Sequence, residues 1–558
     1  MVRKVIRMMY KEVRGLHQAA YVLALFAFGS QLLALLRDRM LAHQFGAGYE
    51  LDVYYTAFKI PDLLYVLFAS TLSVYVLIPF VVSRIHGEDG TQAKELLAQI
   101  FSLFLILYSA LALLFFIIAP YIIPVLFPGF AENADEVVLL FRILLLQPLL
   151  LGISSLFGVI TQIGHRFVLY AISPLFYNVG IIIGIVFLYP VYGLKGLAFG
   201  VILGALGHML VQLPLVRNSN LSFWVTTKFD WNSIRDILKV SIPRALTLAM
   251  HQIVLLVLVM IAGLMIAGSV SVFQFAYNLQ SVPLAIIGAS YSIAAFPLLA
   301  DLYAQKKMEA FSLHIITAMQ HIIFWAIPAI GLIIVLRAQL VRVVLGSGAF
   351  DWSDTKLTAA VLAVLSISLF AQAINLLMVR AFYAGGYTKI PFFVTLLGSV
   401  TAIVGTLLLY VNYPSMEYIR GVIESVLHIQ SVEGSEVLTI AFGYSFAIII
   451  QTIILIYIAA RKFKLDMQWV LPRSFRALLA AIMGGVCAYI ALNFFALGIN
   501  KESFVGIFLQ GLMGGVFGII AVVITYYLTN SPELQEIFKS LSAKRKRTQI
   551  IASQDEVM

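Results

Sequence analysis

Ionisable residues stand out inside or at the ends of long apolar runs of this chain: Arg37, Asp38 and Arg39, then Asp52 and Lys59, and much later Arg244 and Arg380. In hydrocarbon a central Arg, Lys or Asp costs at least about 2.5 kcal/mol, so such groups persist only against a partner or a hydrated cavity. Their chemistry is recognition of charge rather than bond making, and clustered cations can bind an anion. On a helix Arg37 and Asp38 diverge by about 100°, which predicts that they serve different neighbours, with Arg39 turned further. One of the arginines is expected to line a cavity; the blander readings are that Arg39 snorkels to the outer interface or that Arg37 only pairs with Asp52. Lys59 sits near a span end before Pro61, Arg244 follows Pro243 at a span entrance, and Arg380 comes late in its span, where topological anchoring competes. Gln31, Asn278, Gln252 and Asn375 form a second tier of cavity candidates, although uncharged polar residues within spans more often bridge helices.

No catalytic constellation accompanies these groups. The sequence contains no HExxH, no P-loop and no GxSxG, and its nine histidines are scattered, so an enzyme is not expected. A membrane glycosyl- or phosphotransferase would need a carboxylate or histidine cluster at one face. The single cysteine, Cys487, excludes intrachain disulfides and CxxC zinc sites. No metal and no cofactor is expected; a coupling ion or the membrane potential is left open as the energy source.

The elements that must position the charges are membrane helices. Of 558 residues, 61% are hydrophobic and 11% charged, far from the makeup of soluble domains. Apolar runs of about 20 residues, each able to cross a hydrocarbon core of about 30 Å, follow one another from Tyr21 to Tyr527. Spans are predicted near 15–44, 52–83, 97–119, 137–163, 168–189 and 195–216, then 241–267, 271–301, 311–336, 356–384, 390–411 and 437–460, and last 477–496 and 503–528. The fold class is therefore an all-α polytopic membrane protein of about 14 transmembrane helices. It is read as two pseudo-symmetric six-helix lobes, 1–216 and 241–460, joined by a cytoplasmic connector at 217–240, with two additional transmembrane helices at 461–530 and a basic cytoplasmic tail at 531–558. A weak echo supports the pseudo-symmetry: Phe58 to Pro79 passes through Pro61 and small residues, and Tyr277 to Pro297 passes through Pro283 and small residues.

Loop charge sets the expected orientation. The net charge of +10 lies in loops beside the spans, without the aromatic interleaving of a nucleic-acid site. With the N-terminus inside, the inside segments collect Arg3, Lys4, Arg7, Lys11 and Arg14, then Arg84, Lys94, Arg166, Lys306, Lys307, Lys389 and the tail residues Lys544 to Arg547. The outside loops are poorer in Lys and Arg, so the positive-inside rule predicts two cytoplasmic termini. The basic start resembles a signal peptide, but Arg37 and Asp38 follow and no small-residue cleavage site stands out, so a retained first helix is expected. In the outside loop 412–436, Ile419, Val422, Ile423, Val426 and Leu427 recur at helical spacing and predict a short amphipathic helix at the outer interface.

Five segments, in order over both halves, resemble the MurJ (MviN) lipid II flippases of the multidrug/oligosaccharidyl-lipid/polysaccharide exporter superfamily. They are LLRDRMLAHQFGAGYELDVYYTAFKIPDLL at 35–64, GHRFVLYAISPLFYNVGIIIG at 164–184, LAFGVILGALGHMLVQLPLV at 197–216, GSVSVFQFAYNLQSVPLAIIGASYSIAAFPLLA at 268–300 and VRAFYAGGYTKIP at 379–391. The resemblance implies alternating access, with a cationic cavity passing the diphosphate-sugar headgroup of lipid II from the cytoplasmic to the outer leaflet. The polyprenyl tail stays in lipid, along a groove extended by the last two helices. Arg37, Asp38, Asp52 and Pro61 match the family pattern. Gln31, Tyr65 and Asn278 stand where that pattern carries arginine, and Arg39, Lys59, Arg244 or Arg380 are candidates to replace the charge.

The resemblance further implies a role in peptidoglycan biosynthesis, cell-wall biogenesis and cell shape at a bacterial plasma membrane. Partners on this reading are the lipid-linked precursor, membrane lipids and cell-wall synthesis proteins; no nucleic acid is expected, and a monomer is favoured. The rival cargo is another polyprenyl-linked oligosaccharide or an amphipathic small molecule. A rival of another class is a membrane scaffold for cell-wall enzymes, which predicts a sealed apolar interior.

Overall fold

The computed structural model describes residues 16–539 apart from 73, 86–90, 220, 222, 469 and 496–502. The N-terminal basic cluster and the tail residues Lys544 to Arg547 lie outside them. Among the described residues no strand occurs. Among the described residues eleven helices are long and apolar enough to cross a membrane, or twelve if the bent pair Trp352–Ile367 and Leu369–Ala384 is one span. Leu16–Phe45 and Tyr49–Thr71 are helices of comparable length that stand outside this set. Both carry the ionisable residues of the N-terminal cluster, and including them brings the number to about fourteen.

Helix ends follow the apolar periodicity closely at several places, as at Phe167–Tyr192, Leu194–Arg217 and Phe504–Leu528. Others differ for local reasons. The second span breaks after Thr71 and resumes as Val74–Ile85, while Ser269–Pro283 continues into Ser290–Ala304 through a wide turn at Leu284–Ala289 that starts just after Pro283. Proline cannot supply the backbone hydrogen bond of a regular helix, and a wider turn absorbs the defect. The polar connector is half helical, because Asp230 caps the helix Trp231–Ala262 by accepting a hydrogen bond from the Asn232 backbone N–H.

The chain divides into two compact units. The first contains the chain up to Phe275 with Val344–Leu357 and Thr395–Gly443. Here the loops that follow odd-numbered spans meet one another. The Ala349 N–H donates to the His43 carbonyl and the Ala47 N–H to Asp354, while Tyr49 stacks near Phe130 with ring centroids 5.9 Å apart. Gly268, in the left-handed region at φ 96°, lies against the Ala47 backbone, where a side chain would not fit. Loops separated by an even number of crossings must emerge on the same side, so these contacts agree with the predicted alternation of spans. Elsewhere in this unit the connector is tied down through the Thr226 N–H to Ser102, the Asp230 N–H to Gln99 and Arg84 to Ser233.

Helix packing in this unit uses glycine where backbones approach. Phe167–Ile183 and Leu194–Leu210 cross at Gly180, Gly184, Gly200 and Gly204, and a Cβ on Gly204 would collide with the Tyr177 carbonyl. The second unit contains Ala276–Val343, Thr358–Val394 and the chain from Tyr444 on. Within it Val470–Phe495 and Phe504–Leu528 pair through Gly484 and Gly518. Replacing Gly204 by Leu should cost about 1–3 kcal/mol by overpacking and lower the thermal midpoint of the detergent-purified protein. Gly207→Ala, whose Cβ would meet Phe176 at an ordinary 3.4 Å, should leave it nearly unchanged.

Candidate functional site

The first unit gathers Arg37, Asp38, Lys59 and Asp62 into one polar cluster, with Asp38 and Lys59 buried and Arg37 and Asp62 half-buried. Arg37 donates from Nε and Nη2 to Asp38 Oδ1, at 2.9 and 2.7 Å, and from Nη1 to Asn178 Oδ1 at 3.2 Å. The adjacent pair therefore serve each other, contrary to the expectation from their 100° divergence. The flexible arginine stem lets its guanidinium fold across the helix surface, and in a low-dielectric interior the nearest carboxylate is the strongest available partner. Asn178 in turn donates to Ser30, which fixes the orientation of its amide.

Lys59 is buried and donates to Gln274 Oε1 at 2.8 Å. One turn on, Asp62 lies in electrostatic range of Lys59 and within reach of the Gln147 side chain. Tyr54 and Tyr177 bridge the two halves of the cluster, since each lies in the field of both Arg37 and Asp62. The Tyr55 hydroxyl and Gln147 Oε1 are buried with no hydrogen-bond partner among the described residues. Such atoms carry hydrogen-bonding capacity that water or a polar ligand takes up.

The other candidates are distributed elsewhere. Asp52 is buried and accepts from the Gly268 N–H, the Ser271 N–H and the Ser271 hydroxyl, at 2.7, 2.7 and 2.5 Å. It thus holds the N-terminus of the helix Ser269–Pro283, where backbone donors are unpaired by geometry and favour a negative charge. Arg39 donates to the carbonyl of Val344, the last residue of the helix Met308–Val344, which is the negative end of that helix. Arg244 and Gln252 are half-buried on Trp231–Ala262, and Gln31 is half-buried two turns before Asp38. In the second unit Asn278 and Asn375 are half-buried, and Arg380 points its Nη1 towards the Ala289 carbonyl at 3.5 Å, at the end of the wide turn.

Asp62, Tyr54, Tyr177 and Gln147 are cluster members that the sequence reading passed over. Asp62 was detectable: it is an ionisable residue within a span, directly after Pro61 and three residues from Lys59. The tyrosines and Gln147 carry no such signal. A recess lies within the second unit. It is an apolar groove of about 470 Å³ between Met308–Val344 and Val470–Phe495, lined by Ile327, Gly331, Val335, Ala481, Gly485 and Tyr489. Its lining suits hydrocarbon, not a headgroup.

The fold is that of a known class of membrane transporter. A structure described as lipid II flippase MurJ in an inward closed conformation superposes with a TM-score of 0.70 at 21% identity, covering 91% of this chain and 99% of that one. An inward-facing multidrug resistance MATE family transporter of the MOP superfamily gives 0.60 at 16% identity, covering 78% and 94%. The chain belongs to the lipid II flippase MurJ family, whose model matches residues 41–509. It is 30% identical over 372 residues to a probable lipid II flippase MurJ from Buchnera aphidicola subsp. Acyrthosiphon pisum (strain APS), covering 65% of this chain and 72% of that protein. A second such protein, from Rhizobium tropici, is 25% identical over 484 residues, covering 83% and 85%.

Removing one member of a buried ion pair strands the other, at a cost of about 3–5 kcal/mol. Asp38→Ala should therefore destabilise the purified protein more than Arg37→Met combined with Asp38→Leu, as read by thermal unfolding. Ser271→Ala should cost about 1 kcal/mol by removing one donor to Asp52.

Proposed function

We propose that this chain moves lipid II, a diphosphate-sugar headgroup on a polyprenyl tail, from the cytoplasmic to the outer leaflet of a bacterial inner membrane by alternating access. The observation that carries the reading is a largely buried cluster of Arg37, Asp38, Lys59, Asp62 and Asn178 with unpaired polar atoms beside it, in a chain of the lipid II flippase family. A membrane scaffold has no use for such a cluster, whose burial costs free energy. The headgroup meets Arg37 and Lys59, while the tail stays in the hydrocarbon of the bilayer. The six-helix lobes 1–216 and 241–460 serve as the moving parts. Both termini face the cytoplasm. Asp52 acts by holding the start of Ser269–Pro283 in place. Transport proceeds without bond making and without a resident cofactor, driven by a coupling ion or the membrane potential.

A second cargo, another polyprenyl-linked oligosaccharide, is favoured by one feature. Arg37 is paired with Asp38, Lys59 lies beside Asp62, and Gln31, Tyr65 and Asn278 add no charge, so the cluster is nearly balanced rather than strongly cationic. A balanced cluster suits sugar hydroxyls as well as phosphate.

Depleting a cell's own lipid II flippase and supplying this chain distinguishes the cargoes. Restored growth is expected; failure with the protein expressed and inserted would favour the second cargo. In reconstituted vesicles Arg37→Ala should lower the rate of lipid II flipping at least about tenfold, the effect of losing about 1.4 kcal/mol of interaction. An unchanged rate would remove Arg37 from the site.

A further inference from the structure

The helix Glu417–Leu427 has its amphipathic character turned inside out. Its Glu424 is held inward, and its apolar edge is bare. Arg420 Nε donates to Glu424 Oε1 at 2.8 Å, the Ser435 hydroxyl donates to the same oxygen at 2.6 Å, and the Tyr413 hydroxyl donates to Ser435 Oγ at 2.8 Å. The Arg420 guanidinium also lies over the Tyr413 ring, 5.5 Å from its centroid. Burial raises the Glu424 carboxyl, but hydrogen bonds from Ser435 and Arg420 outweigh it and hold the group below its usual range. The carboxylate therefore stays charged at neutral pH. On the other edge Tyr418, Ile419, Val422 and Val426 are exposed, at 84, 53, 48 and 68%.

Two observations say what covers this edge. First, the polar pins fix the depth of the helix. Tyr413 directly follows the span Lys389–Asn412, and Ser435 lies three residues before the span that starts at Leu438, so residues 420 and 424 are tied to the mouths of two membrane helices. Only four residues separate Asn412 from Glu417, and a chain of that length reaches at most about 14 Å. Second, the bare edge continues an existing lipid-facing stripe. Along Lys389–Asn412 the exposed residues Leu397, Val400, Val404, Leu408 and Val411 recur at steps of three and four, and the last of them stands at 70% exposure two residues before Tyr413. Interfacial helices bury an apolar face about 5–10 Å into the boundary between headgroups and acyl chains.

We propose that Glu417–Leu427 is a membrane-surface anchor: its Tyr418, Ile419, Val422 and Val426 edge inserts into the lipid leaflet at which Lys389–Asn412 ends, while the Arg420, Glu424, Ser435 and Tyr413 network clamps its other edge to the protein. The partner is a phospholipid surface and not a second protein. The clamp and the stripe work together, since a helix free to roll would not keep one edge in lipid. The inference stands on this loop alone and does not require the cargo to be lipid II.

The test uses the full-length chain with Cys487→Ser, carrying either Val422→Cys or Glu417→Cys, labelled with a fluorophore and reconstituted in phosphatidylcholine and phosphatidylglycerol vesicles. Bromine-bearing acyl chains should quench the label at 422 at least about twofold more than the label at 417, and aqueous iodide should show the reverse order. Glu424→Ala, which releases the clamp, should reduce the difference between the positions. A label at 422 quenched by iodide as strongly as the one at 417 would overturn the proposal. So would a label at 422 reached by neither quencher, which would mean that protein covers it.

Discussion

The cost of placing charge in hydrocarbon constrains this molecule more than any other factor. Arg37 answers it with a two-point contact to Asp38 and a third bond to Asn178. Lys59 answers it with Gln274, and Asp52 with three donors around the start of the helix Ser269–Pro283. Each ion is matched within the first unit. A matched ion is tolerated, but it does not contribute much net stability, because desolvation offsets most of the Coulombic gain.

That constraint separates two kinds of buried polar residue which look alike in sequence. Asp52 accepts from two backbone N–H groups and one hydroxyl, and its geometry is that of a helix cap. Around Arg37 and Asp62, by contrast, Tyr55 and Gln147 keep polar atoms without partners. The first arrangement positions an element. The second leaves hydrogen-bonding capacity beside the charges, where the proposed headgroup site lies. The apolar groove of the second unit is complementary in kind, offering only hydrocarbon contact.

The helical frame was legible because a bilayer imposes a minimum apolar length, and helices such as Phe504–Leu528 begin and end where hydropathy changes. The helix Glu417–Leu427 was legible from its periodicity, but not its rotation, since only the Glu424–Ser435 contact decides which edge faces inward. Less visible was anything depending on side-chain reach. The pairing of Arg37 with Asp38 defeats an argument from helical angles, because a guanidinium can cross the 100° that separates the two Cβ directions. Asp52 reads as one more intramembrane acid until the backbone of Gly268 and Ser271 is brought to it. Asp62 could have been identified by the same rule that picked out Lys59.

The most direct measurement is equilibrium binding of a water-soluble, short-tailed diphosphate-sugar analogue to the purified chain, compared between the natural sequence and Lys59→Met at low and moderate salt. Binding that weakens by about tenfold in the variant, with a smaller salt dependence, is the predicted result. Equal affinity and equal salt dependence, in a variant with an unchanged thermal midpoint, would contradict the assignment of headgroup recognition to the N-terminal cluster.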